Sequence, residues 1–202
     1  CYYFNRIFLN TFSLTPRMDP ANTTIGIVGL GQVGSLYAKQ FSEAGYDIVG
    51  SDLPERIPGL RASLQDTGIT IFSQPRHVVE ESDLVLTCLP IPTVRPVYRE
   101  LEPFLDGETP IVDGSSVMFH AYQATTILDG VDSYSLHLMA RPDPAILAGK
   151  NMVAVPHSNH NGSFEASREL FTDALRVNVI ELPSYEHHDS MSSVAQGLVH
   201  LL

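Results

Sequence analysis

The chain has no tryptophan and only two cysteines, Cys1 and Cys88. They are too few and too far apart for a disulfide framework, which fits a reducing compartment. Basic residues are also scarce. Lys+Arg number 12 against 23 Asp+Glu, for a formal net charge of −11. A surface of that sign repels polyanions, so neither nucleic acid nor an anionic membrane surface is an expected partner. A small anionic ligand answers to the local field and is not excluded. No apolar run approaches the roughly 20 residues that a membrane-spanning helix needs. With 44% hydrophobic and 17% charged residues, wholesale disorder is excluded as well. A soluble cytoplasmic protein with a packed core is the expectation.

Both ends read as cut. The chain opens on Cys1, and residues 1–17 are irregular, aromatic and free of acids. Met18 reads as the natural start, the alternative being a targeting leader carrying Arg6 and Arg17. At the other end, Leu202 falls inside a helical pattern. The boundaries expected are an irregular segment at 1–22, a dinucleotide-binding domain at 23–183, and at 184–202 the start of a truncated helical domain.

Between these ends strands and helices alternate. Ile25 to Val28 is a short apolar run before a glycine turn, as a buried parallel strand should be. From Gln32 to Ala44 the residues Val33, Leu36, Tyr37, Phe41 and Ala44 share one helical face, which Gly45 ends. Further strands are expected at Tyr46–Ser51, Ile69–Phe72, Leu84–Leu89, Pro110–Val112, Tyr134–Leu138, Asn151–Val155 and Asn178–Leu182. Helices are expected at Pro75–Glu81, Thr93–Phe104, Met118–Leu128 and Phe164–Leu175. Alternation of this kind specifies an α/β fold with a doubly wound, mainly parallel sheet, and from Ser184 the pattern turns helical throughout.

The residues Gly29-Leu30-Gly31-Gln32-Val33-Gly34 lie between the first strand and the first helix, the context a dinucleotide-binding turn requires. The first glycine allows the tight turn and the second lets backbone approach a pyrophosphate. The third lets helix and strand pack closely, with the helix N-terminus facing the phosphate charge. Asp52 follows the second strand at the spacing of a ribose-binding carboxylate, so NAD is favoured over NADP. Arg56 would reverse that preference if its loop folded back. Leu89 and Pro90, with Thr93, are expected along the nicotinamide half, and Asp113 near the cofactor at the end of the next strand. Cys88 reads as a buried small hydrophobe.

Asp113-Gly-Ser-Ser-Val117 and Ser135-Leu-His137 end neighbouring strands, which brings Ser116 and His137 to the same sheet edge as the glycine turn. An imidazole there can take a substrate hydroxyl proton near neutrality. His157 with His160, and His187 with His188, lack a third ligand at a plausible spacing, so no metal is expected.

These residues together resemble the prephenate/arogenate dehydrogenase family, in its fungal-type branch. The resemblance rests on Ile25-Gly-Ile-Val-Gly-Leu-Gly-Gln-Val-Gly-Ser-Leu-Tyr-Ala38, on Ser135-Leu-His137, and on Tyr185-Glu-His-His-Asp189 with Gln196 and His200. It implies oxidative decarboxylation of prephenate, or its amino counterpart arogenate, to an aromatic product in tyrosine biosynthesis. His137 matches the catalytic histidine, and Ser116 the serine that orients it. His188 and, more loosely, Asp143 match groups near the substrate. A homodimer through a helical domain beyond Leu202 is implied, with an arginine there that grips a substrate carboxylate. Leu138, Arg141 and Met118 depart from residues common in bacterial relatives. Two other functions compete. A β-hydroxyacid or imine reductase-type dehydrogenase would need an acid/base lysine on a later helix, a place that neither Lys39 nor Lys150 takes. A cofactor-sensing protein without catalysis would have no use for Ser116 and His137 together.

Overall fold

A computed structural model describes residues 18–128, 130–140, 147–157 and 163–199, with backbone alone at 163 and 194–199. Its strands are β1 (Thr24–Val28), β2 (Asp47–Ser51), β3 (Thr70–Phe72), β4 (Leu84–Thr87), β5 (Ile111–Asp113), β6 (Ser133–Leu138), β7 (Asn151–Pro156) and β8 (Asn178–Glu181). They form one sheet in the order β3-β2-β1-β4-β5-β6-β7-β8. All neighbours run parallel except β6 and β7, so the expected mainly parallel sheet has one antiparallel step. The chain reverses its direction of travel across the sheet between β1 and β4. The crevice outside the carboxyl ends of those two strands is where such sheets bind ligands.

Helices α1 (Gln32–Glu43), α2 (Ile57–Ser63), α3 (Arg76–Glu80), α4 (Ile91–Leu101), α5 (Met118–Thr125), α6 (Ser163–Leu175) and α7 (Tyr185–Val199) accompany the strands. Period-two alternation splits the core into two layers. Ile25 and Ile27 of β1 join Tyr37 and Phe41 of α1 and Phe171 of α6 on one face. Val28 joins Val78, Val94, Tyr98 and Ala124 on the other. Phe41 meets Phe171 edge-on at 5.5 Å, the geometry that the charge distribution of aromatic rings favours.

Two details depart from the sequence reading. Helix α2 was not foreseen, since Pro58 and Gly59 mask its short apolar face of Ile57 and Leu60. Helix α4 begins at Ile91 rather than Thr93, which leaves Pro96 in its interior. The start of α7 is docked against α5. Tyr185 stacks on Tyr122 of α5 at 4.6 Å, and His188 is 1% exposed. Met191, one turn on, is exposed.

Candidate active site

A cleft of about 950 Å³ runs along the carboxyl edge from the glycine turn to His137. The glycines at its head divide the expected labour. Gly29 has φ +95°, a backbone conformation costly for any residue with a Cβ, and a Cβ there would lie 2.5 Å from the Cys88 carbonyl oxygen. At Gly34 a Cβ would lie 2.0 Å from the Gly29 carbonyl oxygen, so only glycine lets α1 approach the turn. Gly31 differs from both. A Cβ there would meet no protein atom within 4 Å. It caps α1 and lines the cleft with Gln32 and Val33, so its missing side chain leaves open space in front of the helix N-terminus. That is the cradle a pyrophosphate needs, with unpaired first-turn amides and the positive dipole end facing it. Leu30, by contrast, is buried in the core at 1% exposure and offers the site only its backbone.

Asp52 lines the cleft but is not free. Its Oδ2 accepts from Leu30 N at 2.8 Å, and its Oδ1 accepts from Leu53 N at 2.7 Å. Arg56 Nη1 donates to both oxygens at 3.0 Å. The loop that leads into α2 therefore does fold Arg56 back. The guanidinium is half exposed and neutralises the carboxylate beside it.

At the ends of β4 and β5, Cys88, Leu89, Pro90, Thr93, Gly114, Ser115 and Ser116 line the cleft. Burial pushes the Cys88 thiol up, so it stays protonated, but it is half-buried in the cleft lining rather than buried in the core as expected. Asp113 does not reach the cofactor space. It is 1% exposed, with Oδ1 accepting from Ser115 N at 2.8 Å and Oδ2 from the Tyr98 hydroxyl at 2.8 Å. Burial raises its pKa against the lowering effect of these bonds. Its role is to tie the turn carrying Ser116 to β4 and α4. Tyr98 and Thr87, which complete this knot, were invisible in sequence because they read as ordinary helix and strand residues.

His137 closes the far end. Its Nδ1 lies 2.9 Å from His188 Nε2, with the two rings nearly perpendicular at 76°. Among the described residues Ser116 makes no hydrogen bond to His137, so His188 holds the ring in place of the expected serine. His188 itself is buried behind His137 and is absent from the cleft lining, not in the substrate-facing position foreseen. Its Nδ1 lies 2.7 Å from Asp189 Oδ1. Burial, and next the neighbouring His188, bring the His137 pKa down to about 4, with Asp189 opposing. At neutral pH the ring is uncharged, one nitrogen is committed to His188, and Nε2 remains for the cleft. Asp143 lies outside the described residues. No group of three or more His, Cys, Asp or Glu among the described residues is arranged to hold a metal, and no helix there is long and apolar enough to cross a membrane.

A family model for the NAD binding domain of 6-phosphogluconate dehydrogenase matches residues 24–142, more than half of the chain. The chain belongs to this family. Curated relatives agree with the resemblance read from the motifs. The chain is 25% identical over 184 residues to the probable prephenate dehydrogenase [NADP(+)] of Schizosaccharomyces pombe, covering 87% of this chain and 41% of the relative. Identity to the prephenate dehydrogenase [NADP(+)] of Saccharomyces cerevisiae is 24%, over 89% of this chain and 40% of the relative. The chain thus spans about two fifths of the length of these relatives. Human mitochondrial 3-hydroxyisobutyrate dehydrogenase is 33% identical, but over only 37% of this chain and 21% of its own length. Among solved structures, prephenate dehydrogenase from A. aeolicus superposes with a TM-score of 0.71 at 22% identity, covering 89% of this chain and 69% of that one. An imine reductase from Myxococcus stipitatus also scores 0.71, at 20% identity over 88% of this chain and 60% of that one. At such identities the superpositions show the fold alone, a Rossmann-type α/β domain.

Proposed function

We propose that the protein is a prephenate dehydrogenase, which oxidatively decarboxylates prephenate to 4-hydroxyphenylpyruvate. The observation that carries this reading is the uncharged His137 imidazole in the same cleft as the glycine cradle, held from behind by the His188-Asp189 pair. Gly31, Gln32 and Val33 would hold the dinucleotide's pyrophosphate, Asp52 and Arg56 its ribose end, and Leu89 and Pro90 the nicotinamide half. The bound cofactor supplies the hydride acceptor. His137 Nε2 takes the proton of the substrate's ring hydroxyl as hydride leaves the same carbon. Carbonyl character then builds at that carbon, the ring carboxylate departs as carbon dioxide, and its bonding pair restores aromaticity. Ser116, exposed at the cleft, would hydrogen-bond that hydroxyl.

For the cofactor, Asp52 supports NAD, while its pairing with Arg56 weakens the repulsion of a 2′-phosphate and narrows the preference. A competing reductase-type reading needs a lysine facing the cofactor. Lys39, on α1, and Lys150, before β7, both lie outside the cleft lining, which favours the histidine-based reaction. The segment from Ser184 is read as the first helix of a helical domain that pairs two subunits, and the scarcity of cysteine supports a cytoplasmic setting. The test is a spectrophotometric assay of the full-length protein with prephenate and arogenate, each with NAD and NADP. Reduction of cofactor on prephenate is expected. Turnover of 3-hydroxyisobutyrate or reduction of a cyclic imine instead, with neither cyclohexadienyl substrate used, would contradict the reading.

A further inference from the structure

Asp189 makes more of its carboxylate than a surface residue on the first turns of a helix would. Its Oδ1 accepts from Met118 N at 3.0 Å and its Oδ2 from Phe119 N at 2.9 Å, the opening amides of α5. The same Oδ1 lies 2.7 Å from His188 Nδ1. Partial burial raises the pKa of this carboxyl, but the bonds from His188, Phe119 and Met118 outweigh that and hold it below its usual value. It is therefore ionised at neutral pH, and an ionised carboxylate only accepts.

The directions of the remaining bonds follow. His188 Nδ1 must carry a proton and donate it to Asp189. His188 Nε2 then takes the accepting role toward His137 Nδ1–H at 2.9 Å. The Ser192 hydroxyl, 3.2 Å from that same Nε2, donates to it as well. With its proton on Nδ1, His137 presents an unprotonated Nε2 to the cleft, the form able to take a proton. Without an acceptor at Asp189 the chain of bonds runs equally well in reverse. His188 would donate from Nε2, and His137 would turn an N–H toward the substrate.

We propose that Asp189 is a positioning residue, which through His188 sets the tautomer of His137 and through the α5 amides holds the Ser116 turn in register with it. This rests on the reading of His137 as the proton acceptor. The α5 contacts matter because α5 begins directly after Ser115-Ser116-Val117. One carboxylate thus joins both groups that face the substrate hydroxyl, although they come from different strands. The stack of Tyr185 on Tyr122 holds α7 against α5 while it does so.

The variant Asp189→Asn separates this role from a merely structural one. Its carbonyl oxygen still accepts from Phe119 N, while its NH₂ group stands where Oδ1 accepted from Met118 N. Asparagine caps helices as well as aspartate does, so the loss of that one bond should leave the fold standing. Its NH₂ group donates to His188 Nδ1 and so reverses the tautomers. The charge-assisted bond that is lost corresponds to about a 10- to 100-fold bias between the two forms, and kcat should fall by about that much with KM within about threefold. Nitrogen chemical shifts of isotope-labelled histidines in the full-length protein read the tautomers directly, without substrate. Protons on Nδ1 of both His137 and His188 in the wild type, inverted in Asp189→Asn, are expected. They support the proposal even if the wild type turns over neither prephenate nor arogenate, a result that would remove the substrate reading alone. A proton on Nε2 of His188 in the wild type overturns the proposal with no variant needed. So does an Asp189→Asn protein with unchanged tautomers and unchanged kcat.

Discussion

The two ends of the cleft are built in different ways. The head of the cleft is a contiguous stretch from β1 through Asp52, and backbone makes most of it: a left-handed Gly29, an open Gly31, a Gly34 packed on Gly29. The end proposed to handle the proton comes from β5, β6 and α7, with His137 and His188 51 residues apart in sequence, and side chains make most of it. Backbone sites depend on what a residue lacks. Side-chain sites depend on which hydrogen bond points which way. The first kind breaks sterically when a methyl group is added. The second fails electronically while the fold stands.

Gly34→Ala should do the most damage. Its Cβ meets backbone 2.0 Å away, which cannot rotate aside. Overpacking of this kind costs about 1–3 kcal/mol, and α1 must back away from the turn. Loss of measurable dinucleotide binding in calorimetry, together with a lowered melting temperature, is the expected pair of results. Gly31→Ala sharpens the contrast. With no protein neighbour to meet, the variant should stay within about 1 kcal/mol of wild-type stability. Yet dinucleotide affinity should drop at least about tenfold, because the new methyl group fills the phosphate cradle. Equal affinity in Gly31→Ala and wild type would show that the pyrophosphate lies elsewhere.

Smaller changes are expected at the ribose end. Asp52→Ala should weaken NAD binding about tenfold, the worth of one hydrogen bond to a charged group, and narrow the gap to NADP. Arg56→Ala should do the reverse, reducing NADP affinity by severalfold and leaving NAD nearly unchanged, since the guanidinium is half exposed and screened. Parallel titrations of both cofactors against both variants decide this.

The least effect concerns acid stability. His157, fixed between Ser135 Oγ at 2.9 Å and Thr125 Oγ1 at 3.3 Å, is brought by burial to a pKa of about 4, as His137 is. An unfolded histidine titrates near 6.5, so between these values the unfolded chain binds more protons than the folded one. Stability is full above about pH 6.5 and falls as pH drops toward 4. His157→Gln should flatten part of that slope in urea midpoints measured across the window. An unchanged slope would mean that His157 is not kept neutral by the fold.

The same contrast explains what was legible in the sequence. Apolar period and glycine spacing reported β1, α1, β2 and the phosphate turn because each is a local pattern. Helix α2 escaped because Pro58 and Gly59 hide an apolar face of two residues. Arg56 was seen, but whether its loop would fold back onto Asp52 depended on where that hidden helix began. Asp113, from its place at a strand end, and His188, from the resemblance, were identified as site residues, and both are buried behind the cleft. Sequence brought them to the correct edge, but which groups stand in front and which behind is a matter of packing. Asp189 was quoted in a motif and given no role, because its partners at Met118 and Phe119 are backbone amides 71 and 70 residues away.

The central claim is that cofactor and proton acceptor occupy opposite ends of one cleft and act separately. Replacing His137 by alanine in the full-length protein tests it most directly, with turnover of prephenate and dinucleotide affinity measured on the same preparation. General base assistance is worth about 10²–10⁴-fold, so turnover should fall within that range while the dissociation constant of the dinucleotide stays the same. Turnover near the wild-type value would remove His137 from the mechanism, and a joint loss of affinity and turnover would show that the two ends are not separate.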